Sequence, residues 1–283
     1  MYFEDTSLNF LNIASFQAHT DGITRIKQSP FNYDYVATCS RDFKVKMWDF
    51  HNWQLIRNYT GHSNQVWSLE YIDEDFIASG SWDQTIQLWS ISTGQTRGKI
   101  NTGVGVDSLQ LLSNGFYLAA GLSNGQIQIF NINTGSLVFV LNGHSSFVND
   151  FVLIGNNLLA SSSKDATVRI WDLVENRQKF ILNDHNSYIW GLKLVSLDTL
   201  ASSSSDKTLK FWNTTNGTLI RTLMGHASDI YLSIDLTNDY NEETLVSGSL
   251  DKTIKFWNWR TGQCLNTINT DLTIWSLATI NSK

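Results

Sequence analysis

Residues 143–172 read GHSSFVNDFVLIGNNLLASSSKDATVRIWD. A Gly-His loop leads into an apolar strand, a polar turn, a serine-rich strand, a tight Lys164-Asp165 turn and a strand ending in Trp171-Asp172. The same phrase returns along the chain. Strand-ending aromatics stand at Trp48, Trp89, Phe130, Trp171, Trp212 and Trp257, a step of 41 residues four times and then of 45. The turn residues Asp42, Asp83, Asn124, Asp165, Asp206 and Asp251 each precede their aromatic by six positions. His19, His62, His144, His185 and His226 mark the loops, with Gly103 in the slot between His62 and His144. A fixed period of roughly 40–45 residues signals an array of one supersecondary unit that cannot bury its faces alone.

Within the quoted unit, apolar segments near 147–153, 157–162, 167–172 and 177–182 are short and evenly separated by turn residues, which is an all-β pattern. Phe151-Val152-Leu153-Ile154 is apolar on both alternating faces and suits a sheet covered on both sides. Segments after each aromatic, such as 217–223, are more polar and read as edge strands. These phased motifs resemble the WD-repeat β-propeller family over about residues 8–280. The resemblance implies one all-β domain across 1–283, with six complete four-stranded blades and an incomplete seventh. The N-terminal stretch 8–16 would be the outer strand of that seventh blade, and the C-terminal stretch 272–280 its inner strand. Two middle strands, roughly 20 residues, are then missing. A chain cut short, a six-bladed closure with spare terminal strands and a blade completed by a partner strand all remain open. The enlarged turns at 29–35, with Pro30, and at 237–244 are expected on one rim of the disc.

The family links its loops and strands through four side chains, Trp to Ser or Thr to His to Asp. The matching sets are His19, Thr38, Asp42, Trp48; His62, Ser79, Asp83, Trp89; His144, Ser161, Asp165, Trp171; His185, Ser202, Asp206, Trp212; and His226, Ser247, Asp251, Trp257. Ser, His and Asp together invite a hydrolase reading. A catalytic triad is needed once, in one cleft beside an oxyanion site, whereas these sets recur five times. The expectation is therefore a structural network and no enzyme. In the third repeat Gly103, Ala120, Asn124 and Phe130 replace all four residues together, which avoids an orphaned buried group.

The chain of 283 residues carries a formal net charge of −6 and a pI near 5.4, which argues against a nucleic-acid-binding face. No stretch approaches the roughly 18 apolar residues of a membrane span. Cys39 and Cys264 are too few for a disulfide framework and are expected as buried, reduced thiols in a cytoplasmic, or alternatively nuclear, protein. No GxxxxGK[ST], HExxH or paired CxxC occurs, so no cofactor and no metal are expected. The function expected is a protein-interaction scaffold or adaptor, part of a larger complex, binding proteins or peptides. In the family, partners often dock on the face holding the Gly-His loops. There the resemblance places Trp67, Trp82, Phe147, Tyr188, Trp190, Tyr231 and Trp275, with Arg41 and Lys164 as cations. Ser108 is assigned the third-repeat position equivalent to Trp67. The alternative is the substrate-receptor subunit of a ubiquitin ligase, whose adaptor-binding domain would have to come from elsewhere.

Overall fold

The computed structural model describes residues 17–236 and 244–279. Their strands form six four-stranded antiparallel sheets, at 23–59, 66–101, 106–141, 148–182, 189–224 and 230–269. In each sheet the strands lie side by side in chain order, here termed inner, second, third and outer. Inner strands of consecutive blades pack on one another, from Ile23–Gln28 against Val66–Tyr71 round to Ile189–Ser196 against Ile230–Leu236. The fold is a β-propeller.

The apolar cores lie between blades. Met47 and Tyr59 of the first blade meet Leu69, Tyr71 and Trp89 of the second. Ile129 and Leu141 of the third meet Phe151 and Trp171 of the fourth. Second strands such as Leu158–Ser163 are buried on both faces because each face has a different neighbour. Outer strands such as Arg177–Leu182 alternate with solvent. Each fully buried aliphatic side chain contributes about 1.5–3 kcal/mol.

Two bulges recur in every complete blade. The third-to-outer pairing shifts at the aromatic, as between Ile170 and Trp171. A bulge adds twist and re-aims a side chain, here where the indole must reach back to the second strand. The inner-to-second pairing also shifts, leaving Thr24, Trp67, Asp107, Asn149 and Trp190 unpaired in the first five ladders. In the sixth blade the irregularity spans Ile230 to Ile234.

The segment 274–279 takes the inner position of an incomplete seventh blade. Ile274 N–H donates to Ser249 O (3.2 Å) and Thr279 N–H to Asp235 Oδ2 (2.7 Å) on the sixth blade. On the other side, Ile26 N–H of the first blade donates to Ser276 Oγ (3.3 Å). Ile274 and Leu277 pack on Val246, Ile254 and Phe256. The outer strand expected at 8–16 lies outside the described residues, as does 237–243. The enlarged turn at 29–35 joins an inner to a second strand, at the opposite strand ends from the Gly-His loops. The expectation of two buried thiols is corrected. Cys39 is buried, with its thiol pushed up to about 12 by burial, while Cys264 lies exposed on an outer strand.

The blade interface is tightest at glycines on second strands. A Cβ on Gly121 would meet Ser108 Oγ at 2.2 Å and Val148 Cγ1 at 2.8 Å. Gly121→Ala is expected to cost ~1–3 kcal/mol in urea unfolding, the usual range for overpacking. Gly98, on the second blade's outer strand, has open space around it, so Gly98→Ala should be neutral or slightly stabilising. Equal effects would show that the blades can slide apart freely.

Candidate functional site

Each of the five sets forms one relay. The indole Nε1–H of Trp48, Trp89, Trp171, Trp212 and Trp257 donates to the Ser or Thr hydroxyl of its blade at 2.8 Å. That hydroxyl lies 2.7–2.8 Å from the histidine Nε2. The histidine Nδ1 lies 2.6–3.0 Å from the Asp carboxylate. The donor count assigns the protons. The carboxylate only accepts, so Nδ1 carries the hydrogen. The hydroxyl oxygen takes the indole hydrogen and gives its own to Nε2. Burial lowers the pKa of all five imidazoles and so favours this neutral form.

The other carboxylate oxygen holds the strand turn. Asp165 Oδ1 accepts from Thr167 N (2.9 Å) and Thr167 Oγ1 (2.7 Å), while Oδ2 accepts from Ser145 N (3.1 Å) as well as the imidazole. This anchoring lets Ala166 sit at φ 66°, a left-handed conformation uncommon outside glycine. Burial lowers the pKa of His144, and the attraction of Asp165 does not make up the difference. Burial also opposes ionisation of Asp165, but the hydrogen bonds and charge of His144 and the Thr167 bonds hold its carboxyl well below the usual range.

In the third blade the slot assigned to Gly103 is corrected to Thr102. The inner strand starts one residue earlier relative to its loop, because Val106 pairs Leu122 as Val66 pairs Ser81. Thr102 Oγ1 bonds the carbonyls of Gln84 (2.8 Å) and Val104 (2.7 Å) and makes no relay. The same shift corrects the position given to Ser108. Asp107 is the bulged residue equivalent to Trp67, and Ser108 pairs Gly121 within the ladder. The apolar residue before each bulge, in Val66-Trp67-Ser68 and Val106-Asp107-Ser108, was the signal that could have found it.

The bulged residues surround the axis at the Gly-His end of the blades. One repeated backbone bond fixes this mouth. The residue before each turn Asp or Asn donates its N–H to the carbonyl two positions before the bulge, as Lys164 does to Phe147 (3.0 Å) and Trp82 to Gln65 (3.0 Å). A chain of ring contacts results. Trp67 stacks on Trp82 (5.1 Å between centroids), and Trp82 meets Phe147 (6.1 Å). The Lys164 ammonium lies 4.0 Å from the Phe147 centroid and 5.0 Å from that of Trp190. Trp190 meets Tyr188 edge-on (6.2 Å) and stacks on Tyr231 (4.3 Å), which reaches Trp275 (4.8 Å). Tyr188 is half exposed. Trp190, expected at the surface, is 8% exposed and donates Nε1–H to Ser205 Oγ (2.7 Å), so it serves as a platform for its neighbours. Arg41 holds the same turn position in the first blade, with Nε 4.0 Å from Asp21 Oδ1.

Trp67, Trp82, Asp107, Asn149, Lys164 and Trp190 enclose a space of about 10 Å³. Burial pushes the Asp107 carboxyl up to about 7, against the Trp82 hydrogen bond (2.9 Å) and the charge of Lys164. Deeper in the channel charges are paired, Arg25 with Asp150 (3.0 Å) and Lys27 with Glu70 (2.7 Å). A wider cleft of about 420 Å³ opens between the third and fourth blades at the opposite strand ends, lined by Tyr117, Phe139, Asn157, Val174 and neighbours. No charged side chain lines it.

Comparison with known proteins agrees with this geometry. The WD domain, G-beta repeat family matches residues 11–49, 53–90, 135–172, 176–213 and 217–258. The chain belongs to the WD-repeat family. The stretch 91–134, left out of these matches, holds most of the blade that lacks the relay. Among WD-repeat and related proteins, Nuclear distribution protein PAC1 of Saccharomyces cerevisiae is 37% identical over 92 residues, 31% of this chain and 18% of that protein. Mitochondrial division protein 1 of Schizosaccharomyces pombe is 40% identical over 80 residues, 28% of this chain and 12% of its own length. Eukaryotic translation initiation factor 3 subunit I of Neurospora crassa is 34% identical over 79 residues, 27% and 22% respectively. The chain thus matches less than a quarter of the length of each of these relatives.

The relay makes two expectations. His144→Ala leaves Ser161 and Asp165 each short of one buried partner and should cost ~1–3 kcal/mol. Asn124, exposed in its turn, bonds Gln126 alone, so Asn124→Ala should cost less; equal losses in chemical denaturation would overturn the distinction. The second expectation is a pH dependence. All five relay histidines have lowered folded pKa values, so the unfolded chain binds more protons below the unfolded value near 6.5. Stability is full above that pH and falls as pH drops below it. The relay aspartates, also lowered, extend the loss below about pH 4. Urea midpoints should decline from pH 7.5 to 5.5; a flat profile would contradict neutral, buried imidazoles.

Proposed function

We propose that this protein is a non-catalytic interaction scaffold, or adaptor, that receives proteins or peptides on its aromatic mouth and works within a larger complex. The observation that carries this reading is the continuous belt from Trp67 to Trp275, organised around the axis with Lys164 between its rings. Aromatic anchors in partly desolvated settings dominate protein interfaces, and a rigid scaffold presents them without an ordering cost. The Ser, His and Asp side chains that suggest hydrolysis are tied into loop-to-turn relays with neutral histidines, which supports a non-catalytic role. One relative is named as a subunit of a translation initiation factor, which supports membership of an assembly. The two free thiols suit a reducing compartment, which supports reading the protein as cytoplasmic, or alternatively nuclear.

The test is affinity capture from native extract with two double variants. Trp67→Ala with Tyr188→Ala removes one partly buried and one half-exposed ring of the belt without touching the relay. Phe116→Ala with Leu197→Ala removes exposed apolar groups from turns at the opposite strand ends. The belt variant should lose at least ten-fold in partner recovery, since truncated anchors commonly cost over ~2 kcal/mol. Loss confined to the other variant would place the interaction on the wrong end of the propeller.

A further inference from the structure

The hydrogen-bonding inventory of the mouth is unbalanced. Lys164 Nζ meets two ring faces and the more distant charge of Asp107, with no hydrogen-bond acceptor and no carboxylate within ion-pair reach among the described residues. Burial lowers its pKa, and Asp107 opposes that. The Trp67 indole N–H is buried without a partner. Asp107 Oδ2 is also buried without a partner, while Oδ1 accepts from Trp82 Nε1. A buried polar group left unmade is costly, and functional sites are where such groups persist.

The surplus lies on the donor side. The ammonium offers three hydrogens and the Trp67 indole one. Asp107, whose carboxyl is held near neutrality, adds a further donor once protonated. A cationic ligand would meet Lys164 already lying against the rings of Phe147 and Trp190. An anion would meet an unpaired cation and a free N–H. We propose that the mouth binds a carboxylate side chain of a partner peptide, with the Lys164 ammonium and the Trp67 indole N–H as donors and Phe147 and Trp190 as walls. This rests on the interaction-scaffold reading and names the chemistry of its ligand. The enclosed space has room for one water-sized group, which is the size of one carboxylate oxygen.

Asp107 makes the binding depend on protons. Ionised, it repels the incoming carboxylate; protonated, it can donate to it. Arg41, on the first blade's turn, has its Nε buried without a hydrogen-bond partner, 4.0 Å from Asp21 Oδ1. The carboxylates on the neighbouring strands and turns are engaged elsewhere. Glu70 pairs with Lys27, Asp150 with Arg25, and Asp83 with His62. Asp229 accepts from Ser205 Oγ at 2.6 Å. The pH dependence therefore belongs to Asp107 and Lys164, and both give the same sign, tighter binding at lower pH.

The probes are Ac-Phe-Glu-Phe-NH2, its Gln counterpart and its phosphoserine counterpart, titrated into the whole chain. Binding is followed by the Trp67 indole N–H resonance, assigned with Trp67→Phe. The Glu peptide should bind at least ten-fold more tightly than the Gln peptide at pH 6. Its affinity should rise several-fold from pH 8 to pH 6, where its own carboxylate stays ionised. Asp107→Asn should bind tightly at pH 8 and flatten the profile. Lys164→Met should abolish the preference for Glu while keeping the urea midpoint of the parent. Equal binding of Glu and Gln peptides, or tightening as pH rises, overturns the carboxylate site and leaves the aromatic face standing. Tighter binding of the phosphoserine peptide overturns it in favour of phosphate. If none of the three peptides binds, the carboxylate site falls, and the capture experiment decides separately whether the face is used at all.

Discussion

No blade of this protein can be left with water on both faces. Second strands such as Leu158–Ser163 bury successive residues, so one sheet presents apolar groups on two sides. A single neighbour covers only one of them. The requirement is met by placing the second to fifth blades each between two others, with 274–279 set between the sixth and the first, and turning the inner strands toward a common axis. The ring is thus a consequence of two-sided burial, and the interblade cores are its expression.

Burial of this kind fixes blades against one another but leaves their loops undirected. The relays supply that direction. Each joins a loop before the inner strand to the turn after the second strand through one carboxylate with two oxygens, and an indole of the third strand holds the hydroxyl in place. The loops and turns so fixed are the ones whose neighbours form the aromatic mouth. The bulge in each of the first five inner strands then removes one residue from the ladder and presents it at the axis. Packing, relay and bulge act on different parts of the blade and converge on one surface.

The period, the strands and the relay sets were legible because each repeats with fixed spacing, as the aromatics at Trp89 and Trp171 show. Repetition averages away accidents of a single unit. The same strength misled at the third repeat, where counting from Gly103 passed over Asp107. A ladder register is set by which residue bulges, and bulges leave no mark in a count of residues between landmarks. Contacts across the ring were also hidden. Nothing near Arg25 points to Asp150, which lies 125 positions away. The exposure of Cys264 was missed because an outer strand alternates between core and solvent, and its register decides which side a thiol takes.

The bond from Ile26 to Ser276 has an equivalent at an ordinary blade boundary, Leu109 to Ser68. The two differ in the length of chain they close, 250 positions against 41. Loop-closure entropy grows as the logarithm of length, so the longer closure costs about 1.6 kcal/mol more. It also rests on a smaller apolar cluster, centred on Val246, Ile254 and Phe256. Successive blades can therefore assemble as a zipper of nearby neighbours, while the seam between the sixth and first blades is a long-range event that closes last. On heating, the same asymmetry makes the seam the site where the circle opens into an arc.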